Sequence, residues 1–145
     1  MRTDMALRYK FNDGGKAEAG LGTARSGDCG IRAAAIALGQ GYRTTKSDLN
    51  DLLVEMTGGL DRSCNDGTPT PVLHRYLTDH GWTLVLTPKT YLDRHTFGGR
   101  TVIACLPRHY AAILYNVVND TWDSRKCRRT KCGSPKLLGY YEKQT

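Results

Sequence analysis

A cysteine, a histidine and a carboxylate follow one another along this chain in the order that thiol-based acyl transfer uses. Asp28-Cys29-Gly30 opens an Ala-rich apolar run that reads as a helix. A thiol is a weak nucleophile at neutral pH, whereas its thiolate is a strong one. In the first turn of a helix, free backbone N–H groups and the positive end of the dipole favour the thiolate. The same position equally suits a small buried hydrophobe, the ordinary role of an unpaired cysteine. A second segment bears on the choice. His109-Tyr110-Ala111-Ala112-Ile113-Leu114-Tyr115 and Asn116-Val117-Val118-Asn119-Asp120-Thr121-Trp122-Asp123 read as two extended runs around a short turn. A turn centred on Tyr115-Asn116 sets His109 opposite Trp122 and Ala111 opposite Asp120. Diagonal neighbours on one face of a hairpin stay within reach of long side chains, so His109 and Asp120 can meet. The three residues then divide the work: Cys29 attacks, His109 carries the proton and Asp120 holds the ring.

These residues resemble the papain-like cysteine peptidase superfamily. Its members place the cysteine at the start of a central helix and the histidine on a later strand. Their third residue lies in an Asn-Ser-Trp run whose Trp covers the His–Asn contact, and Asp120-Thr121-Trp122 is similar to that run with Asp in place of Asn. Asp28-Cys29-Gly30 also resembles the Asp-Cys-Gly of bacteriocin leader-peptide peptidase domains, which use Cys, His and Asp. Over nearly its whole length the chain resembles a group of small uncharacterised phage and bacterial proteins. That likeness runs through Asn12-Asp13-Gly14-Gly15, Asp28-Cys29, Arg32-Ala33, Arg108-His109 and Asp120 to Asp123.

The resemblance implies an α+β papain-like fold in one domain over 1–145, with N-terminal helices packed on a C-terminal antiparallel sheet. It further implies a phage origin and a thiol hydrolase, a peptidase or isopeptidase, acting on a protein or peptide of host or viral origin. Cys29, His109 and Asp120 would be its catalytic set, with no cofactor and no metal. Asp123 competes with Asp120 as third member; strand alternation puts the two on opposite faces, and the resemblance favours Asp120. One position departs from the superfamily, whose members carry a Gln six residues before the cysteine to complete the oxyanion hole. Thr23 stands there, with a shorter side chain, and Arg25, Ser26 or a backbone N–H are the alternative donors. Loss of one such donor costs roughly 10²–10³-fold in turnover. The departure keeps a second reading open, a catalytically silent relative that docks a partner through a basic loop.

The elements that must carry these residues are legible from pattern. Leu7 to Asn12 reads as an edge strand, and Asp13-Gly14-Gly15 as a turn followed by a mobile stretch to Gly27. Asp28 reads as the N-cap of a helix to about Leu38, stopped by Gly39, with Arg32 paired to Asp28 one turn on. Thr45-Lys46-Ser47-Asp48 resembles a capping box for a second helix whose Leu49, Leu52, Leu53 and Met56 form one stripe. Thr70-Pro71 opens a third helix with Leu73, Tyr76 and Leu77 inward and Gly81 at its end. Trp82 to Thr87, Thr101 to Leu106, His109 to Tyr115, Val117 to Asp123 and Leu137 to Glu142 read as strands. Helices followed by an antiparallel sheet give an α+β class.

Composition sets the outer bounds. The chain has 145 residues, enough for one domain with a real core. No run approaches the roughly 18 apolar residues of a membrane span, and Met1 to Gly20 lacks a signal-peptide core, so a cytoplasmic protein is expected. Five cysteines are an odd number, which excludes a complete disulfide framework and favours reduced thiols. Cys127 and Cys132 lie in a basic segment with Arg125, Lys126, Arg128, Arg129 and Lys131, whose charges oppose a zinc site. Much of the net charge of +7 lies in that loop. It suits an acidic protein partner more than nucleic acid, since few aromatics are interleaved with the cations. His74, His80 and His95 read as surface residues.

Overall fold

The computed structural model describes residues 6–20, 28–58 and 68–143. Among the described residues three α-helices and a six-stranded mixed sheet make an α+β fold. In chain order these are β1 (Arg8–Phe11), α1 (Cys29–Leu38), α2 (Tyr42–Thr57), α3 (Thr70–Asp79), β2 (Trp82–Tyr91), β3 (Val102–Leu106), β4 (His109–Leu114), β5 (Val117–Asp120) and β6 (Lys136–Lys143). Across the sheet the strands run β1-β5-β4-β3-β6-β2.

The expected antiparallel sheet is corrected at one edge. β1 adds parallel to β5, with Arg8 opposite Val117 and Phe11 opposite Asp120, whereas every other pairing is antiparallel. Because the helical segment separates β1 from β5, the long connection that a parallel pair requires is already present in the chain. The hairpin register is the expected one. Leu114 faces Val117, Ile113 faces Val118 and Ala112 faces Asn119 around Tyr115-Asn116. Both turn residues have positive φ, 51° and 65°, as a type I′ hairpin demands. The strand β5 stops at Asp120, so Thr121 to Asp123 leave the ladder rather than continuing it.

Helix α1 ends as the sequence indicates. Gly39 adopts φ 69°, and its N–H and that of Gln40 close on Ile36 and Ala35 carbonyls. The start differs: Asp28 holds the N-cap position but makes no side-chain cap hydrogen bond, because its carboxylate is drawn into an ion cluster. The capping box in α2 is also corrected. That helix begins three residues earlier, at Tyr42 after Gly41, and the Thr45 hydroxyl donates back to the Gly41 carbonyl at 2.9 Å.

Apolar side chains fill both faces of the sheet. On one face Ile31, Ala33 and Ala34 of α1, Leu49 and Leu53 of α2 and Leu73 and Leu77 of α3 meet Ile103, Ala112 and Tyr141. Burying each of those leucines contributes about 1.5–3 kcal/mol. On the other face Leu92 and Phe97, from the β2–β3 connection, cover Val102, Ala104, Ala111, Ile113 and Val118. The small residues of α1 let it lie close across β4, which brings the helix start beside the strand that opens with a histidine. Met56 is an exception to the predicted stripe, being 40% exposed at the free end of α2.

Candidate active site

Cys29 is the first residue of α1 and His109 the first of β4, so both sit at ends of rigid elements rather than on loops. Asp120 closes β5 and is 3% exposed. His109 Nε2 lies 2.6 Å from Asp120 Oδ2. The Cys29 thiol lines the same cleft as this imidazole, and the two groups act on each other's ionisation. With Nε2 taken by Asp120, Nδ1 is the ring nitrogen without a bond to that carboxylate.

The electrostatics of the three groups are mutually consistent. Burial alone would push the Cys29 thiol up. The hydrogen bond and charge of His109, the Tyr110 backbone N–H and the Arg32 guanidinium outweigh it, and the thiol titrates below its usual value. For His109, burial opposes the charged form, but hydrogen bonds to Asp120 and Cys29 and their negative charges carry its pKa up to about 9. Burial would likewise raise Asp120, yet bonding to His109 and to the Thr121 N–H holds its carboxyl below the usual range. The arrangement favours a thiolate facing an imidazolium.

Asp120 is held at both ends of its residue. Its carbonyl accepts the Asn12 N–H at 2.9 Å and the Tyr9 hydroxyl at 3.2 Å, both contributed by or next to β1. Asp123, the competing candidate, instead binds Arg125 through Oδ1 and Oδ2 at 2.8 and 2.7 Å. The Trp122 ring, 43% exposed, lies 4.9 Å from the His109 ring at 43° and so shields one side of the imidazole.

Beneath this set lies a buried cluster of charges. The Asp28 carboxylate, 0% exposed, meets Lys16 Nζ at 3.1 Å, the Tyr42 hydroxyl at 2.5 Å and the Arg32 guanidinium. Arg32 Nη2 continues to Asp120 Oδ1 at 3.4 Å. The i,i+4 pairing of Asp28 with Arg32 is legible in sequence. The reach to Asp120, and the parts of Lys16, Tyr42 and Tyr9, carry no local signal because their partners are far along the chain.

A cleft of about 520 Å³ opens over Cys29 and His109. Its walls include Leu84, Leu86, Leu106 and Leu138, with Thr70 and Arg108 also facing it. Cys105 lines the same cleft, but burial pushes its thiol up to about 12, so two cysteines in one cavity differ sharply in ionisation. Sequence reasoning did not single out Cys105.

Other expected sites fall elsewhere. Thr23, Arg25 and Ser26, the oxyanion candidates, lie outside the described residues. In the basic loop Lys126, Arg128, Arg129 and Lys131 are exposed. Arg125 is not a free cation for a partner: besides Asp123 it donates Nη1 to the Leu7 carbonyl at 3.0 Å and so clasps the N-terminal strand. Cys127 and Cys132 carry free thiols. His95 is corrected from surface to half-buried, packed 4.8 Å from Phe97 and 5.1 Å from Tyr140. Among the described residues no cluster of His, Cys, Asp or Glu is arranged to hold a metal, and no helix is long and apolar enough to cross a membrane.

No protein family matches the chain, and neither does any curated protein or solved structure. The functional reading therefore rests on the geometry of the chain itself.

Proposed function

We propose that this protein is a papain-like thiol hydrolase, a peptidase or isopeptidase, with Cys29 as nucleophile, His109 as proton carrier and Asp120 as the residue that fixes the ring. The observation that carries the reading is the meeting of three groups at one cleft, where the imidazole bonded to a buried carboxylate 2.6 Å away and the helix-start thiol share a wall. A structural ion pair accounts for His109 and Asp120 but gives no reason for a thiol with lowered pKa at the mouth of a cleft.

In this reaction the Cys29 thiolate adds to the carbonyl carbon of an amide, and the carbonyl π pair moves onto oxygen. The N–H groups in the first turn of α1 face the developing charge, since Asp28 does not spend its side chain on capping them. As the tetrahedral adduct collapses, the carbon–nitrogen bond breaks and His109 gives its Nδ1 proton to the departing amine. The acyl group is left as a thioester on Cys29. Water then adds to that thioester while Nδ1 takes its proton, and cleavage of the carbon–sulfur bond restores the thiolate and releases the acid. Asp120 holds the ring through both halves without accepting the proton. An amine in place of water would give transamidation by the same steps.

A peptidyl vinyl sulfone tests the reading, because its activated alkene adds a thiolate but not a neutral thiol. One adduct on Cys29, absent after His109→Ala, is expected. No adduct at Cys29 on the folded protein contradicts it.

A second reading, a non-catalytic module that docks an acidic protein, is favoured by the exposed Lys126, Arg128, Arg129 and Lys131. Partner binding indifferent to Cys29→Ala but lost when those four cations become Gln would favour it over the first.

A further inference from the structure

We propose that Arg32 is the positioning residue of the Cys29–His109–Asp120 set, its guanidinium fork spanning the buried carboxylates of Asp28 and Asp120 so that Asp120 presents Oδ2 to His109. The proposal rests on the hydrolase reading for the purpose of the positioning, but the contacts that define it do not.

The helix supplies the geometry. Arg32 lies three residues after Cys29 and four after Asp28 in α1, so nucleophile, anion and guanidinium occupy one side of the helix start. Nη1 is held by Asp28, and Nη2 reaches Oδ1 of Asp120 at 3.4 Å. Oδ2, the other oxygen of the same carboxylate, is the one bonded to His109 Nε2 at 2.6 Å. Oδ1 also accepts the Thr121 N–H at 2.8 Å, and with Arg32 on the same oxygen the carboxylate cannot rotate to offer the imidazole a different edge, which fixes the ring plane.

The cluster is built beyond what neutralising Asp28 requires. Asp28 already has Lys16 at 3.1 Å and the Tyr42 hydroxyl at 2.5 Å, so Arg32 is not needed to satisfy it. Arg32 is instead secured by Asp28 and extended to Asp120. Its Nε is buried without a hydrogen-bond partner, so the guanidinium accepts an unmet donor to hold both carboxylates. The resulting order of charges alternates: Lys16, Asp28, Arg32, Asp120, His109 and Cys29. Without the cation between them, Asp28 and Asp120 would face each other as like charges. A lysine keeps the charge but, as a single point, cannot hold two carboxylates in a fixed plane. The guanidinium also favours the Cys29 thiolate directly.

The test compares Arg32→Gln and Arg32→Lys with the wild type through two readouts. One is the pH profile of Cys29 alkylation by iodoacetamide, read by peptide mass spectrometry. The other is the downfield proton NMR signal of the His109 Nε2–H bonded to Asp120. In Arg32→Gln the acid limb of the alkylation profile is expected to rise by about one pH unit or more, since lost charge and loosened imidazole act in the same direction. Arg32→Lys should show a smaller rise, and both variants should lose the downfield signal. Should Arg32→Gln fail to fold, Arg32→Lys decides by the same signal. Folded variants with an unchanged profile and signal overturn the proposal, as does absence of the signal from the wild type. A wild-type Cys29 that titrates as an ordinary thiol defeats the hydrolase reading instead, and loss of the His109 signal in the variants then still upholds the role of Arg32.

Discussion

Opposing effects meet at Cys29: burial favours the neutral thiol, while His109, the Tyr110 N–H and Arg32 favour the anion and prevail. Because His109 titrates at about 9 and Cys29 below its usual value, the ion pair occupies the interval between. Any turnover should be bell-shaped in pH. Its acid limb marks loss of the thiolate, and its alkaline limb falls near 9 as the imidazolium loses its proton. A single-limbed profile still rising past that pH would contradict the assignment. Asp28 makes a separate prediction about stability. Its folded pKa is depressed by Tyr42, Arg32 and Lys16 against the effect of burial, so its contribution is present above the ordinary carboxylate range and is lost as pH falls. Asp28→Ala removes the buried anion on which Lys16, Arg32 and the Tyr42 hydroxyl converge and should cost about 3 kcal/mol, measured by urea unfolding at neutral pH. The penalty should shrink in acid. Of these residues Cys29 and His109 were legible in their order along the chain and Asp120 in the hairpin register together with the resemblance that favoured it over Asp123, whereas Lys16 and Tyr42 are known only once the chain is folded.

At the scale of elements, the site is the meeting of a helix start, a strand start and a strand end. The hairpin that aligns β4 with β5 turns through Tyr115, 71% exposed and held at φ 51°. A left-handed conformation costs most residues about 1 kcal/mol, and Asn tolerates it better. Tyr115→Asn should therefore stabilise the protein by about 1 kcal/mol in thermal or urea unfolding, and a loss of stability would show that the tyrosine ring makes a compensating contact. The strand β1 was legible as an edge, but its parallel pairing was not, because nothing local to Arg8–Phe11 names β5 as its neighbour. That pairing places the Tyr9 hydroxyl on the Asp120 carbonyl. Tyr9→Phe should cost about 1 kcal/mol of stability and slow Cys29 alkylation by a few-fold. A rate equal to the wild type would separate β1 from the site. The mistaken capping box has a plain cause: Thr45 finds the Gly41 carbonyl behind it before any N–H ahead, so the helix starts one turn early.

For the whole molecule, the α+β class was legible because period-3.6 apolar stripes precede period-2 runs, and the structure has that division apart from β1. The two-sided burial of the sheet was not legible, since Leu92 and Phe97 come from a connection without a repeating pattern. Charge is likewise distributed in two ways. A buried alternating cluster lies under the site, and exposed cations crowd the loop between β5 and β6. The central claim concerns the first of these, and the most direct measurement is the rate of iodoacetamide modification at each cysteine against pH, in wild type and His109→Ala. Cys29 should react well below the pH of a free thiol, near 8.5, Cys105 should lag far behind it, and His109→Ala should remove the advantage. A Cys29 that titrates as an ordinary thiol in both proteins would contradict that claim and shift attention to the basic loop.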